Sequence, residues 1–190
     1  MDVRFLNVEN RWRSLVEIAL ERALRKDPSS CDCEKCRADI TAVALNKLKP
    51  DYVPVGASSD HNGEHLALAE EAVLQSLQMV KEAPRHSGAS EPILVNSNEA
   101  LIRTVLADVL IHQTRRTWSK EQLAWALAHS LNEIGPKYTA TPKGDVYARV
   151  DEMQPGHLAT VYSIVYNALK QIEMGNLDSQ FTLDRLDNVF

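Results

Sequence analysis

The sequence predicts an all-α fold made of two tandem repeats of a three-helix unit. Three observations carry that prediction. Apolar residues recur at helical spacing along most of the 190 residues, and the strict alternation of a half-buried strand is nearly absent. The stretch Leu45-Asn46-Lys47-Leu48-Lys49-Pro50-Asp51-Tyr52 returns as Leu131-Asn132-Glu133-Ile134-Gly135-Pro136-Lys137-Tyr138. The register extends backward, with Val16 over Ile102 and Leu20 over Leu106. After a short insertion in the second copy it extends forward, with His65-Leu66-Ala67 over His157-Leu158-Ala159. A period this long means one supersecondary unit built twice.

The elements follow in order. Asn7 is placed to cap a first helix from about Glu9 to Lys26, whose stripe is Leu15, Val16, Ala19, Leu20, Ala23 and Leu24. Asp27-Pro28-Ser29-Ser30 ends it by turn chemistry. A second helix runs from about Glu34 to Leu48 and stops at Lys49-Pro50, because a residue before proline is pushed out of the α region. Tyr52 to Val55 reads as a short extended piece. A third helix covers about Glu64 to Glu82. In the second copy Asn98 is a candidate cap for a helix through about His112. Ser119 and Gln122 form a capping box for the next. Gly135 marks a left-handed helix end before Pro136, and a last helix spans about Pro155 to Glu173. The units are therefore 1–86, a linker at 87–97, 98–175, and a tail at 176–190 whose Leu183, Leu186, Val189 and Phe190 suit a short docking helix.

Composition narrows the function. The net charge of −5 disfavours nonspecific nucleic-acid binding, which depends on neutralising many phosphates. No apolar run nears the ~18 residues of a membrane span, and Met1-Asp2-Val3-Arg4 lacks a signal peptide's layout. The three cysteines fall within six residues, an arrangement suited to a metal in a reducing compartment and not to a disulfide framework, so the expected location is cytoplasmic.

Cys33-x-x-Cys36 is the spacing at which two thiolates share one tetrahedral ion, and Cys31 adds a third. The fourth zinc ligand must come from elsewhere. His86, just past the third helix, is the first choice, with His61 and His65 next and Asp32 or Asp39 weaker. Three reduced, half-buried thiols and a redox Cys-x-x-Cys are the alternatives, the latter without the βαβ pattern that usually accompanies it. The second copy has Thr117 to Gln122 in place of the cysteines, so the fold unit itself does not require the metal. Gly-rich phosphate loops, Gly-x-Ser-x-Gly and paired apolar carboxylates are absent, and His61-Asn62-Gly63-Glu64-His65 has its glutamate misplaced for a metalloprotease. The expectation is a non-enzymatic protein.

Together, Cys31-x-Cys33-x-x-Cys36-Arg37-Ala38-Asp39 and Ala44-Leu45-Asn46-x-Leu48-x-Pro50-x-Tyr52 resemble the late competence protein ComFB family over about residues 7–86. The second copy resembles it through Leu131 to Tyr138 and Gly144 to Arg149, without the cysteines. The resemblance implies a small all-α bacterial domain that forms homodimers, with structural zinc in some members. There the fourth ligand is a cysteine beside a Pro-Arg pair. This chain has Pro84-Arg85-His86, so His86 would substitute. The family also implies, for some members, binding of a cyclic dinucleotide (c-di-GMP or c-di-AMP) at the dimer. Two such units in one chain are then expected to pack as an intramolecular pseudo-dimer, with further homo-oligomerisation open. The expected function is a signalling or regulatory protein that binds a cyclic dinucleotide and relays it to a protein partner. The alternative is an adaptor stabilised by structural zinc without a nucleotide. Arg37, Tyr52 and Tyr138 have the chemistry for phosphates and purines, but the ligand-contacting residues are not assigned.

Overall fold

The structure is a computed structural model that describes residues 3–57, 63–85, 90–112, 116–152 and 154–175. It is mostly helical. The order is β1 (Val8–Asn10), α1 (Trp12–Lys26), α2 (Glu34–Lys47), β2 (Tyr52–Pro54) and α3 (Gly63–Glu82). Then come β3 (Val95–Asn96), α4 (Ser97–His112), α5 (Lys120–Ile134), β4 (Tyr138–Thr139), α6 (Pro142–Glu152) and α7 (Pro155–Glu173). No helix among the described residues is long and apolar enough to cross a membrane.

Amphipathic stripes set the helix packing. In the first half α1, α2 and α3 pack on one another, and in the second α4, α5 and α7 do the same. The predicted stripe of α1 is buried in full. Two apolar cores result, and each borrows from the other half. Val3, Leu6 and Tyr52 sit in the core with Leu106, Leu127 and Val165. Tyr138 and Ala140 sit in the core with Val16, Ile40 and Val73. Accordingly β2 lies on α5, and β4 on α2.

Four local expectations are corrected. α1 starts at Trp12 and not near Glu9, and its N-terminal flank Arg11 makes no side-chain cap. Asn7 is not the cap, because Val8–Asn10 pairs antiparallel with Tyr52–Pro54. The near-absence of β signal concealed this pair and its counterpart, Val95–Asn96 on Tyr138–Thr139. Strands of two or three residues are too short to show alternation. Asn98 does not cap α4; it is the helix's second residue and donates from Nδ2 to the Gly135 carbonyl at 3.0 Å.

The second half's insertion falls in a region that forms an additional helix, α6, so among the described residues this half has four helices where the first has three. Thr141 Oγ1 accepts from Gly144 N at 3.0 Å ahead of the helix, and Pro142 is the first helical residue, where its missing N–H costs nothing. The Ser119–Gln122 capping box forms in both directions, with bonds of 3.0 and 3.1 Å. Gly135 does follow α5 with positive φ, but at φ 81°, ψ 163°. That is the extended glycine-only region, not the left-handed helical one. The tail at 176–190 lies outside the described residues.

Candidate metal centre and inter-half groove

The Asn and Tyr of the repeated motif meet across the halves. Asn46 Nδ2 donates to the Tyr138 carbonyl at 2.9 Å, and its Oδ1 accepts from Tyr138 N at 2.7 Å. Asn132 treats Tyr52 in the same way, at 2.9 and 2.6 Å. Each amide thus serves as the missing edge partner for the other half's strand, which explains a polar residue late in a helix. The two tyrosine hydroxyls lie 2.8 Å apart. Asn10 donates to the Tyr138 hydroxyl at 3.1 Å, and Asn96 to the Tyr52 hydroxyl at 2.9 Å. Burial, and then the neighbouring Tyr138, push the Tyr52 pKa well above the ordinary phenol value. Beside this quartet lies a groove of about 390 Å³ lined from both halves, with Arg13, Arg103, Glu9 and Glu99 among its charged groups.

This geometry withdraws two tyrosine rings from purine stacking and Arg37 from phosphate binding. Tyr52 and Tyr138 are 2% and 6% exposed, so neither ring offers a face for a purine. Arg37 bonds Glu21 at 2.5 Å and also pairs with Asp32. Arg103 is turned inward on the carbonyls of Val3 and Leu6, both at 3.0 Å, and on Glu99. Arg13 is the exposed cation on the groove.

The cysteine cluster follows α1. Asp27 organises the connection: its carboxylate accepts from Ser29 at 2.5 Å, Ser30 at 2.8 Å and Lys81 at 2.7 Å. The Lys81 bond first, then the two serines, hold its pKa well below the usual carboxylate range. Cys33 then caps α2, its Sγ accepting from Cys36 N at 3.5 Å. The three Sγ atoms lie within 4.8 Å of one another. Sulfurs 2.3 Å from a common tetrahedral ion sit roughly 3.8 Å apart, so the set fits zinc with small side-chain adjustments. Cys31 and Cys33 are half-buried and Cys36 is buried. Burial, reinforced by the Cys33 and Cys31 sulfurs, pushes the Cys36 thiol up to about 12. A metal entering here must displace that proton, so occupancy falls as pH is lowered.

The other suggested ligands fare differently. Asp39 is taken by Arg85 in a two-bond pair at 2.5 and 3.1 Å, and Asp32 by Arg37. His65 packs on Trp12, ring centroids 5.4 Å apart. Trp12 opens α1 and the cysteines follow its far end, ~21 Å away at 1.5 Å per residue, so His65 is not the fourth ligand. His61 and His86 lie outside the described residues. Pro84, two positions before His86, lines a cavity of about 210 Å³ with Cys31 and Cys36. The Arg85–Asp39 pair anchors this segment on α2. The Pro-Arg and Arg-x-Asp pieces were visible in the sequence, but not that they join.

Fold and site together define a mostly helical protein with three clustered cysteines able to hold a metal in one half and cross-bonded strands between halves. Within that class, residues 9–84 match the family model described as late competence development protein ComFB. No curated protein and no solved structure matches the chain significantly.

Proposed function

We propose that the chain is a non-enzymatic regulatory protein in which two ComFB-like halves form an intramolecular pseudo-dimer that serves as an adaptor for a protein partner. The observation that carries this reading is the reciprocal bonding of Asn46 to Tyr138 and Asn132 to Tyr52. It consumes the polar groups of the repeated motif inside the molecule and ties the halves into one body. Tethering makes their association intramolecular, at roughly millimolar effective concentration. The first half matches the ComFB family, whose description points to regulation in late competence development. Zinc on Cys31, Cys33 and Cys36, completed by His86, would fasten the α1–α2 connection in a reducing cytoplasm. In the second half the Ser119 capping box takes over that task. The outward feature is α6, where Val146, Tyr147 and Val150 are 60–66% exposed at helical spacing. Lys143 lies over the Tyr147 ring, which suits an apolar partner segment with acidic flanks.

A second reading, favoured by the groove, is a receptor for a cyclic dinucleotide. The groove's volume falls in the range of small-molecule sites, and Arg13 could face a phosphate. The tyrosine pair has two hydroxyl protons and uses one between its own oxygens, leaving one for a groove ligand. Against it, Arg13 and Arg103 are balanced by Glu9 and Glu99, a poor field for a dianion.

Calorimetric titration of zinc-quantified protein with c-di-GMP and c-di-AMP, beside linear dinucleotides, separates the two. The adaptor reading predicts no saturable heat. Micromolar binding of one cyclic species, lost in Arg13→Ala, would replace it with the receptor.

A further inference from the structure

We propose that Cys33 and Cys36 form a peroxide-sensitive dithiol whose oxidation competes with zinc for the same sulfurs. The local geometry supplies what such a pair needs. Cys33 stands at the start of α2 with extended backbone, φ −77°, ψ 156°, and its sulfur accepts from the Cys36 amide. One helical turn thereby fixes the two residues on the same side of the helix start, a separation compatible with the ~4.4–6.8 Å between Cα atoms that a disulfide requires. Both sulfurs belong to the group within 4.8 Å, so closing the bond needs side-chain rotation and no rearrangement of α2. The two thiols differ in access. Cys36 is 1% exposed, whereas Cys33 is half-buried, so an oxidant from solvent meets Cys33 first. The cavity bordered by Cys31, Cys36 and Pro84 leaves room beside the resolving thiol. Cys31 precedes the helix and lacks the turn that fixes the other pair.

The steps balance with hydrogen peroxide as oxidant. The Cys33 sulfur attacks one peroxide oxygen, the O–O bond breaks, and a sulfenic acid forms as water leaves. The Cys36 sulfur then attacks Cys33 Sγ, the S–O bond breaks, and the second oxygen departs as water with the Cys36 proton. Two thiols lose two electrons and two protons, and peroxide is reduced to two waters. A disulfide leaves only Cys31 as a thiolate donor, so a zinc held by the cluster is released. The second half has no cysteine, so the change acts on the first half alone.

The gating by zinc rests on the metal reading above; the dithiol itself does not. The test uses the full-length chain, metal-free and zinc-loaded, treated with hydrogen peroxide and read by peptide mass mapping and a chromogenic zinc chelator. Metal-free protein should form one Cys33–Cys36 disulfide that dithiothreitol reverses, and Cys31→Ser should form the same bond. Cys36→Ser should stop at a Cys33 sulfenic acid trapped by dimedone. Zinc-loaded protein should react about tenfold more slowly, because a metal-held thiolate is not free to attack, and release one zinc per disulfide. Metal-free protein that keeps all three thiols, pairs through Cys31, or goes directly to sulfinic acid overturns the proposal. A chain that retains no zinc but closes Cys33–Cys36 refutes the metal reading and upholds the dithiol.

Discussion

At the scale of single residues, Asn46 and Asn132 do the work that distinguishes this chain from two beads on a string. Each satisfies both the N–H and the carbonyl of a tyrosine in the opposite half. Removing the amide leaves those part-buried backbone groups without partners, which costs about 1–3 kcal/mol per site. Asn46→Ala and Asn132→Ala should therefore each lower stability in chemical denaturation by that amount. Because both locks join the same two bodies, the double variant should depart from additivity; strict additivity would mean that the locks act separately. The sequence exposes these residues as part of a repeated motif. It could not show that the partner lies in the other copy, since a repeat gives positions within a unit and not contacts between units. The same limit applied to Tyr52 and Tyr138. Their chemistry suits stacking on a purine, and burial withdraws both ring faces from that role.

At the scale of elements, α1 and α7 were legible because each carries a continuous apolar stripe. The strands were not, since Val95–Asn96 and Tyr138–Thr139 owe their conformation to distant pairing and not to local preference. α6 is hard to read in the sequence although Thr141-Pro142 is a helix-start signal; its exposed face carries the apolar residues, which blurs the pattern that reveals a core helix. The exit from the second helix of each half shows how local chemistry is tuned. In the first half the chain turns extended at Leu48, φ −92°, ψ 140°. In the second the helix runs one aligned position further, through Ile134, and Gly135 must recover the exit at φ 81°, ψ 163°. No atom would crowd a Cβ there, so the whole penalty of a side chain is backbone strain. Gly135→Ala should cost about 1–3 kcal/mol, measurable as a lowered denaturation midpoint, whereas Lys49→Ala at the aligned position should be close to neutral. Equal effects would show that Gly135 is not strained.

At the scale of the whole molecule, neither half holds a complete core. Tyr52 and the N-terminal Val3 and Leu6 complete the second half's interior, and Tyr138 and Ala140 complete the first's. The cysteine centre sits in one half only, on the connection fastened by Asp27–Lys81 and Arg85–Asp39. It stands at the start of α2, and Asn46 of the lock between the halves stands near the end of the same helix. The recurrence of Leu45–Tyr52 as Leu131–Tyr138 is evident in the sequence, while the packing of each half's residues into the other's core is not. Alignment registers which residues correspond but is silent on which copy each one packs against.

The most direct measurement of the exchanged cores is to cut the chain. A protease site placed at the exposed Ser90–Glu91 step, between the halves, would be cleaved in the folded protein, and the product examined by native mass spectrometry. Exchanged cores predict a single particle of the intact chain's mass that separates only on denaturation. Two folded fragments, each stable alone at half the mass, would contradict the account.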